Sequence, residues 1–288
     1  MFGSVSRYLE AIKFSHTIFA LPFALLATIL AFQGIEFQWL NLVWIIFAMI
    51  GARTWAMSIN RIVDAHFDAL NPRTAERAVA SGRISKRAML IFGLLGASIF
   101  VGSAAALSLL AFSCSLPVLL ILASYSYTKR FTIFCHFWLG FCLSLAPLGA
   151  WVAVRETLPA ELFLLSIAIT SWVGGFDIIY ALQDTSFDIK HGLHSIPSRF
   201  GTHRALLIAR LSHIIAAIFF ALFGVVYHLG IIYFVGLLAA VLLMAQQHIV
   251  VRKGSLERIN FAFFNLNGWI AVLLFIAASV SLWVKQVL

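Results

Sequence analysis

The chain has 288 residues, of which 62% are hydrophobic and only 11% are Asp, Glu, Lys or Arg. Soluble domains carry about 25% charged and about 45–50% apolar residues, and one this rich in Phe, Leu and Ile would expose large apolar patches and associate. The composition excludes a cytosolic enzyme, a disordered chain and a secreted disulfide scaffold, and identifies an integral membrane protein. Lys and Arg number 20 against 11 Asp and Glu, a formal charge of +9. In a membrane protein such an excess sets orientation, because basic residues collect in cytoplasmic loops. The bilayer is therefore the expected partner, and nucleic acid is not.

A helix needs roughly 20 mainly apolar residues to span the hydrocarbon core. That ruler predicts an all-α, polytopic chain with nine transmembrane helices, at about 14–33, 39–59, 88–110, 114–128, 134–154, 161–182, 204–225, 227–247 and 260–284. The fourth is short and begins near Pro117. The first run is too long for a signal peptide and lacks a small-residue cleavage site. The loops joining spans 2–3, 4–5, 6–7 and 8–9 hold most of the basic residues, among them Arg61, Arg73, Arg77, Lys86, Lys129, Arg130, Lys190, Arg199 and Arg258. The opposite loops and the C-terminus offer only Arg155 and Lys285. This alternation predicts a cytoplasmic N-terminus and cytoplasmic loops at 60–87 and 183–203. Arg53 and Arg210 fall within spans and are expected to snorkel. Cys114, Cys135 and Cys142 lie in apolar surroundings without zinc spacing, which predicts a packing role.

The two long loops carry the chemistry. The first opens with Asn60, Asp64 and Asp68, spaced by four, which places three oxygen ligands on one face of a helix continuing from span 2. The second holds Asp177, Tyr180, Gln183, Asp184 and Asp188, the last two again four apart. Carboxylates at this spacing repel one another unless a cation lies between them. Hard oxygen ligands in small number suit Mg²⁺, which keeps waters and takes substrate phosphates beside one or two carboxylates. Arg73 and Arg77 follow the first set, Lys190 and Arg199 follow the second, and Lys129 and Arg130 lie in the loop between. Carboxylates, Mg²⁺ and Arg or Lys together make a clamp for a diphosphate. His66, His191, His194 and His203 share these loops without zinc spacing.

These segments resemble the UbiA superfamily of intramembrane prenyltransferases. Asn60 to Gly82 (NRIVDAHFDALNPRTAERAVASG) is similar to the first motif of that family, Tyr125 to Arg130 (YSYTKR) to its Tyr-xxx-Lys loop, and Asp177 to Gly201 (DIIYALQDTSFDIKHGLHSIPSRFG) to its second motif. The opening KFSHTIFALPFALLA resembles the first helix of the quinone-pathway branch. One departure is Arg61, where many members have Asp; it either adds a phosphate contact or is solvated. The resemblance covers nearly the whole chain and implies a single domain over 1–288, with helices around a central cavity capped by cytoplasmic loops. It implies Mg²⁺-dependent transfer of a polyprenyl group from polyprenyl diphosphate to an aromatic acid in quinone biosynthesis.

On that reading Asn60, Asp64, Asp68, Asp184 and Asp188 hold metal. Arg73, Arg77, Lys129, Arg130, Lys190, Arg199 and Lys13 face the diphosphate. Phe-rich walls shield an allylic cation, and Asp177 or a phosphate oxygen takes the ring proton. Ser144, Pro147, Gly149 and Trp151 resemble an acceptor-pocket segment, although helix packing by small residues explains them as well. Gly174 and Gly175 are expected to allow close helix approach. The acceptor expected is of the 4-hydroxybenzoate type, with the carboxylated aromatic of the futalosine route to menaquinone as the alternative. Outside this class the alternative is a secondary transporter, since intramembrane acids also mark those. The acids here sit at helix ends, which favours the enzyme. The expected location is the bacterial inner membrane.

Overall fold

The computed structural model describes residues 8, 10–12, 17, 19–251, 259 and 262–287. The principal elements in chain order are α1 (Leu21–Ala31), α2 (Trp39–Val63), α3 (Ala65–Leu70), α4 (Lys86–Leu107), α5 (Leu109–Thr128), α6 (Cys135–Arg155) and α7 (Leu162–Ala181). A 3-10 turn (Leu182–Asp184), α8 (Thr185–Lys190), α9 (Ile196–Val226), α10 (Ile231–Val251), a π turn (Ala262–Leu266) and α11 (Asn267–Val287) follow. No strand occurs among the described residues.

Eight of the described helical stretches are long and apolar enough to cross a membrane, and each overlaps an expected span. The first expected span, 14–33, is represented by α1, which has 11 residues; residues 14–16 and 18 lie outside the described set. The fourth span differs most from expectation. It begins at Leu109, and Pro117 lies inside the helix. Proline is tolerated inside membrane helices because neighbouring groups re-satisfy the freed carbonyl. The break that separates α4 from α5 is Ser108, extended at φ −162°, ψ 160°. Its Oγ accepts from the Ala111 N–H at 3.1 Å and so starts the next helix.

The described residues divide into two compact units. One is built mainly from 35–127 together with 152–156. In it α2 packs along α4 through small residues: a Cβ at Gly51 would stand 2.6 Å from the Gly96 carbonyl oxygen, and one at Gly96 would stand 2.6 Å from the Thr54 Cβ. Small residues let membrane helices approach this closely and exchange dispersion contacts along their length. Trp55 Nε1 donates to the Leu119 carbonyl at 2.8 Å and ties α5 to α2. Arg53 does not simply snorkel: its Nη2 donates to the Ile12 carbonyl at 3.2 Å.

The other unit comprises 18–34, 128–151 and 157–288. Its core runs along α7, where Leu162, Leu165, Ala168, Ile169, Trp172, Val173 and Phe176 are buried. Gly174 and Gly175 have the packing role expected of them, since a Cβ on the first would meet the Phe137 ring and on the second the His213 ring. Trp172 Nε1 and Gln247 Nε2 both donate to Asn267 Oδ1, at 3.1 and 2.7 Å. That network satisfies three polar groups in an apolar interior, where leaving one unpaired is costly. Ser144, from the segment compared with an acceptor pocket, is buried and accepts from Ser166 Oγ at 2.9 Å. α9 is two helices, because Gly201 at φ 74°, ψ 168° breaks the backbone between them. The longer part thus starts close to residue 204, where the hydropathy places the seventh span.

Candidate functional site

Both motif segments sit where a long helix ends, and each is described within its own unit. In the first, α2 stops at Val63 and Asp64 adopts φ −85°, ψ −2°. The Asp64 N–H still bonds the Asn60 carbonyl at 2.9 Å, and the Asp68 N–H bonds the Asp64 carbonyl at 2.8 Å. The i, i+4 register therefore survives the junction, and Asn60, Asp64 and Asp68 follow one another at helical spacing, as the sequence implies. Asn60 Nδ2 donates to Asp64 Oδ2 at 2.7 Å. Arg77 Nη1 reaches Asp68 Oδ1 at 2.7 Å, and Thr74 Oγ1 donates to the Asp68 carbonyl at 3.1 Å. Asp68 is buried, and its second oxygen, Oδ2, has no hydrogen-bond partner.

The loop that delivers Arg77 is held by turn chemistry and packing. Asn71 Oδ1 accepts the Arg73 N–H at 3.0 Å, an Asx turn placed after the helix end. Beneath it Ala65, Val79, Ile84 and Met89 form a small apolar cluster. Arg73 stands exposed. Arg61 is not solvated: it is 4% exposed, its Nε donates to the Ala11 carbonyl at 2.9 Å, and its Nη1 donates to Asn60 Oδ1 at 3.2 Å. That guanidinium orients the amide of the first motif residue. Lys13 lies outside the described residues.

In the second unit α7 carries Asp177, the 3-10 turn ends on Asp184, and α8 carries Asp188. The tighter turn shifts the register between the acids of α7 and α8. Asp184 and Asp188 are both buried. Lys129 Nζ lies 3.0 and 2.9 Å from the two Asp188 oxygens, and Ser195 Oγ donates to Asp188 Oδ2 at 2.8 Å. The His194 N–H bonds the Lys129 carbonyl at 2.7 Å, which ties the lysine loop to the residues after α8. Desolvation opposes the ammonium form of Lys129, but the charges of Asp188 and Asp184 outweigh it and hold its pKa above the ordinary lysine value. Arg130, Lys190 and Arg199 are exposed.

Asp177 has a partner that the sequence does not announce. His136 Nδ1 lies 2.7 Å from Asp177 Oδ2, although the two are 41 residues apart. Ser195 is likewise not among the expected site residues, yet Ser-Ile-Pro is a legible helix start: Ser195 and Ser198 form a capping box with Pro197 in the first turn.

The helix that carries Asp177, α7, also carries a row of aromatic rings. Trp172, Phe176 and Tyr180 recur every four residues, with Trp172–Phe176 at 5.1 Å, Phe176–Phe263 at 5.2 Å and Tyr180–Phe263 at 4.2 Å between centroids. Phe19 joins this wall, 5.8 Å from Phe176.

The donor set fits a hard divalent cation. Among the described residues no group of three or more His, Cys, Asp or Glu forms a ready-made metal cage. Mg²⁺ does not require one, because waters and phosphate oxygens complete its octahedron. The buried Oδ2 of Asp68, which has no hydrogen-bond partner, is an oxygen donor of the kind such a cation takes.

Comparison with known proteins follows the same lines. The chain is 33% identical over 224 residues to a 4-hydroxybenzoate octaprenyltransferase of Nitrosomonas europaea, covering 77% of this chain and 76% of that one. It is 30% identical over 255 residues to a protein of the same name from Chromohalobacter salexigens, covering 88% and 84%. The apo structure of a UbiA homolog from Aeropyrum pernix K1 matches with a TM-score of 0.82 and 32% identity, over 94% of this chain and 98% of that one. A UbiA homolog from Archaeoglobus fulgidus, solved with GPP and Mg²⁺ bound, shares the fold at a TM-score of 0.71 and 20% identity, over 95% and 99%. The model of the UbiA prenyltransferase family matches residues 20–270. With its helical membrane architecture and its two acidic motifs at helix ends, this chain belongs to the UbiA prenyltransferase family.

Proposed function

We propose that this prenyltransferase moves a polyprenyl group from polyprenyl diphosphate onto an aromatic acid of the 4-hydroxybenzoate type, with Mg²⁺, as a step of quinone biosynthesis. Support comes from the names of the relatives and, above all, from Asp68, one oxygen of which is neutralised by Arg77 while the other is buried and unpartnered. Membership of an enzyme family removes the transporter alternative. We place the chain in the inner membrane as one functional domain, with both motif segments cytoplasmic, following the distribution of its basic residues.

Asn60, Asp64, Asp68, Asp184 and Asp188 are assigned to metal. When bound, Mg²⁺ supplies Lewis-acid charge and a template for the diphosphate oxygens. Arg77 and Lys129 are the cations already held beside these acids, and the exposed Arg73, Arg130, Lys190 and Arg199, with Lys13, are assigned to the outer diphosphate oxygens. The Asp188 carboxylate keeps Lys129 protonated and fixed in place until an anionic substrate shares it. The allylic C–O bond breaks with its electron pair leaving on the diphosphate. The aromatic wall of Trp172, Phe176, Tyr180 and Phe263 excludes water, and each ring face stabilises a cation by about 0.5–2 kcal/mol. An acceptor ring carbon then forms the new C–C bond. The Asp177 carboxylate accepts the displaced ring proton, and aromaticity returns.

The test is direct. Purified full-length protein is incubated with a polyprenyl diphosphate, Mg²⁺ or EDTA, and a panel of aromatic acids, and prenylated product is read by mass spectrometry. Product with 4-hydroxybenzoate is expected, abolished by EDTA and lowered roughly 10²–10³-fold in Asp64→Ala. Product only with a futalosine-derived acid would replace the acceptor. No product with any acceptor, or undiminished product in Asp64→Ala, would sink the assignment.

A further inference from the structure

His136 carries no role in the mechanism above, and its burial is complete, at 0% exposure. It is the second residue of α6, and both of its ring nitrogens are engaged. Nδ1 meets Asp177 Oδ2 at 2.7 Å, and Nε2 accepts the Ile196 N–H at 3.3 Å. An amide donor on Nε2 requires a lone pair there, so the ring proton sits on Nδ1 and is donated to the carboxylate. Ile196 is the first residue of α9, and its neighbour Ser195 caps that helix while donating to Asp188. One imidazole thus joins α6, the acid on α7 and the start of α9.

We propose that His136 is a positioning residue for prenyl transfer: it occupies Asp177 Oδ2 with its Nδ1–H, fixes the carboxylate rotamer and leaves Oδ1 to take the ring proton from the acceptor. A freely rotating carboxylate would present either oxygen at many angles, whereas proton transfer needs heavy atoms within about 2.6–3.2 Å along one line. The tie to Ile196 fixes which nitrogen bears the proton, so the orientation is set at both ends of the ring. This inference rests on the assignment of Asp177 as proton acceptor.

Four variants of the full chain, assayed with polyprenyl diphosphate, 4-hydroxybenzoate and Mg²⁺, test it. His136→Gln can donate to Asp177 and accept from Ile196, whereas His136→Leu can do neither at similar volume. The Leu variant is expected to lose roughly 10–100-fold in kcat, with KM for the diphosphate within about 3-fold of the parent, and the Gln variant to recover to within about 5-fold. In an Asp177→Asn background, His136→Leu should cost no more than about 2-fold. Equal losses in Gln and Leu, a loss confined to diphosphate KM, or an undiminished cost in the Asn background would each overturn the proposal. Should the Leu variant not fold, His136→Ala replaces it; if only Gln folds, the residue is a structural tie and the proposal fails. Full activity in Asp177→Asn would instead refute the assignment of Asp177, whereas an inactive Asp177→Asn beside an unaffected His136→Leu would refute this inference alone.

Discussion

Lys129→Met offers a quantitative test of the second motif. Asp188 is 1% exposed, and in the parent its two oxygens receive Lys129 at 3.0 and 2.9 Å and Ser195 at 2.8 Å. The substitution leaves a buried carboxylate with one neutral donor. Breaking a buried pair by removing one partner costs about 3–5 kcal/mol. The Lys129 side chain is 34% exposed, so solvent already screens the pair, and the lower figure of about 2–3 kcal/mol is expected. That corresponds to a fall of roughly 4–12 °C in the unfolding midpoint. Thermal unfolding in detergent, followed by tryptophan fluorescence, reads it. Lys129→Met with Asp188→Leu removes both charges and should recover most of the midpoint, because an apolar pair of similar volume avoids the stranded charge. Both variants should be inactive, which separates folding from chemistry. A double variant no more stable than Lys129→Met would refute the view that Asp188 depends on Lys129 for its burial.

The same pair sets a pH dependence. Its contribution is fully present below the ordinary lysine value of about 10.4 and is lost as pH rises through the higher folded value, so unfolding midpoints should decline above that range and this decline should be missing in Lys129→Met. Ser195→Ala removes a helix cap and one donor to Asp188 and should cost about 1–2 kcal/mol, read as a midpoint shift with donor KM measured alongside. Gly96→Leu forces a side chain against Thr54 between α2 and α4, and a destabilisation of about 1–3 kcal/mol is expected from the yield of folded protein and its melting; a melting midpoint equal to the parent's would contradict the packing described. Arg61→Lys keeps the charge but cannot bond the Ala11 carbonyl and Asn60 Oδ1 with the same fork, so activity should fall roughly 10-fold while Arg61→Gln falls further, as measured by product formation at saturating Mg²⁺.

Local order along the chain decided much of this protein. Runs of apolar residues made the membrane helices, since a bilayer leaves a buried backbone almost no other way to satisfy its polar groups. Acids four apart remain on helical register because the Asp64 junction keeps its i, i+4 hydrogen bonds. Pro117 does not mark the start of the fourth span, because a membrane helix absorbs a proline that would end a soluble one.

Which acid meets which cation is a different matter. Lys129 pairs with Asp188 across 59 residues, Asp177 with His136 across 41, and Arg61 with the Ala11 carbonyl across 50. Composition and spacing showed that basic and acidic groups share the same loops; they carried no information on His136, which reads as one more polar residue at the start of an apolar run. Such pairings arise only when helices pack and desolvation makes each buried polar group find its nearest complement. Hydropathy and motif spacing therefore determined the membrane fold and where the acids of the two motifs lie along the chain. Tertiary packing alone decided that Asp188 is held by a lysine, Asp177 by a histidine, and Asp68 by an arginine on one oxygen with the other left open.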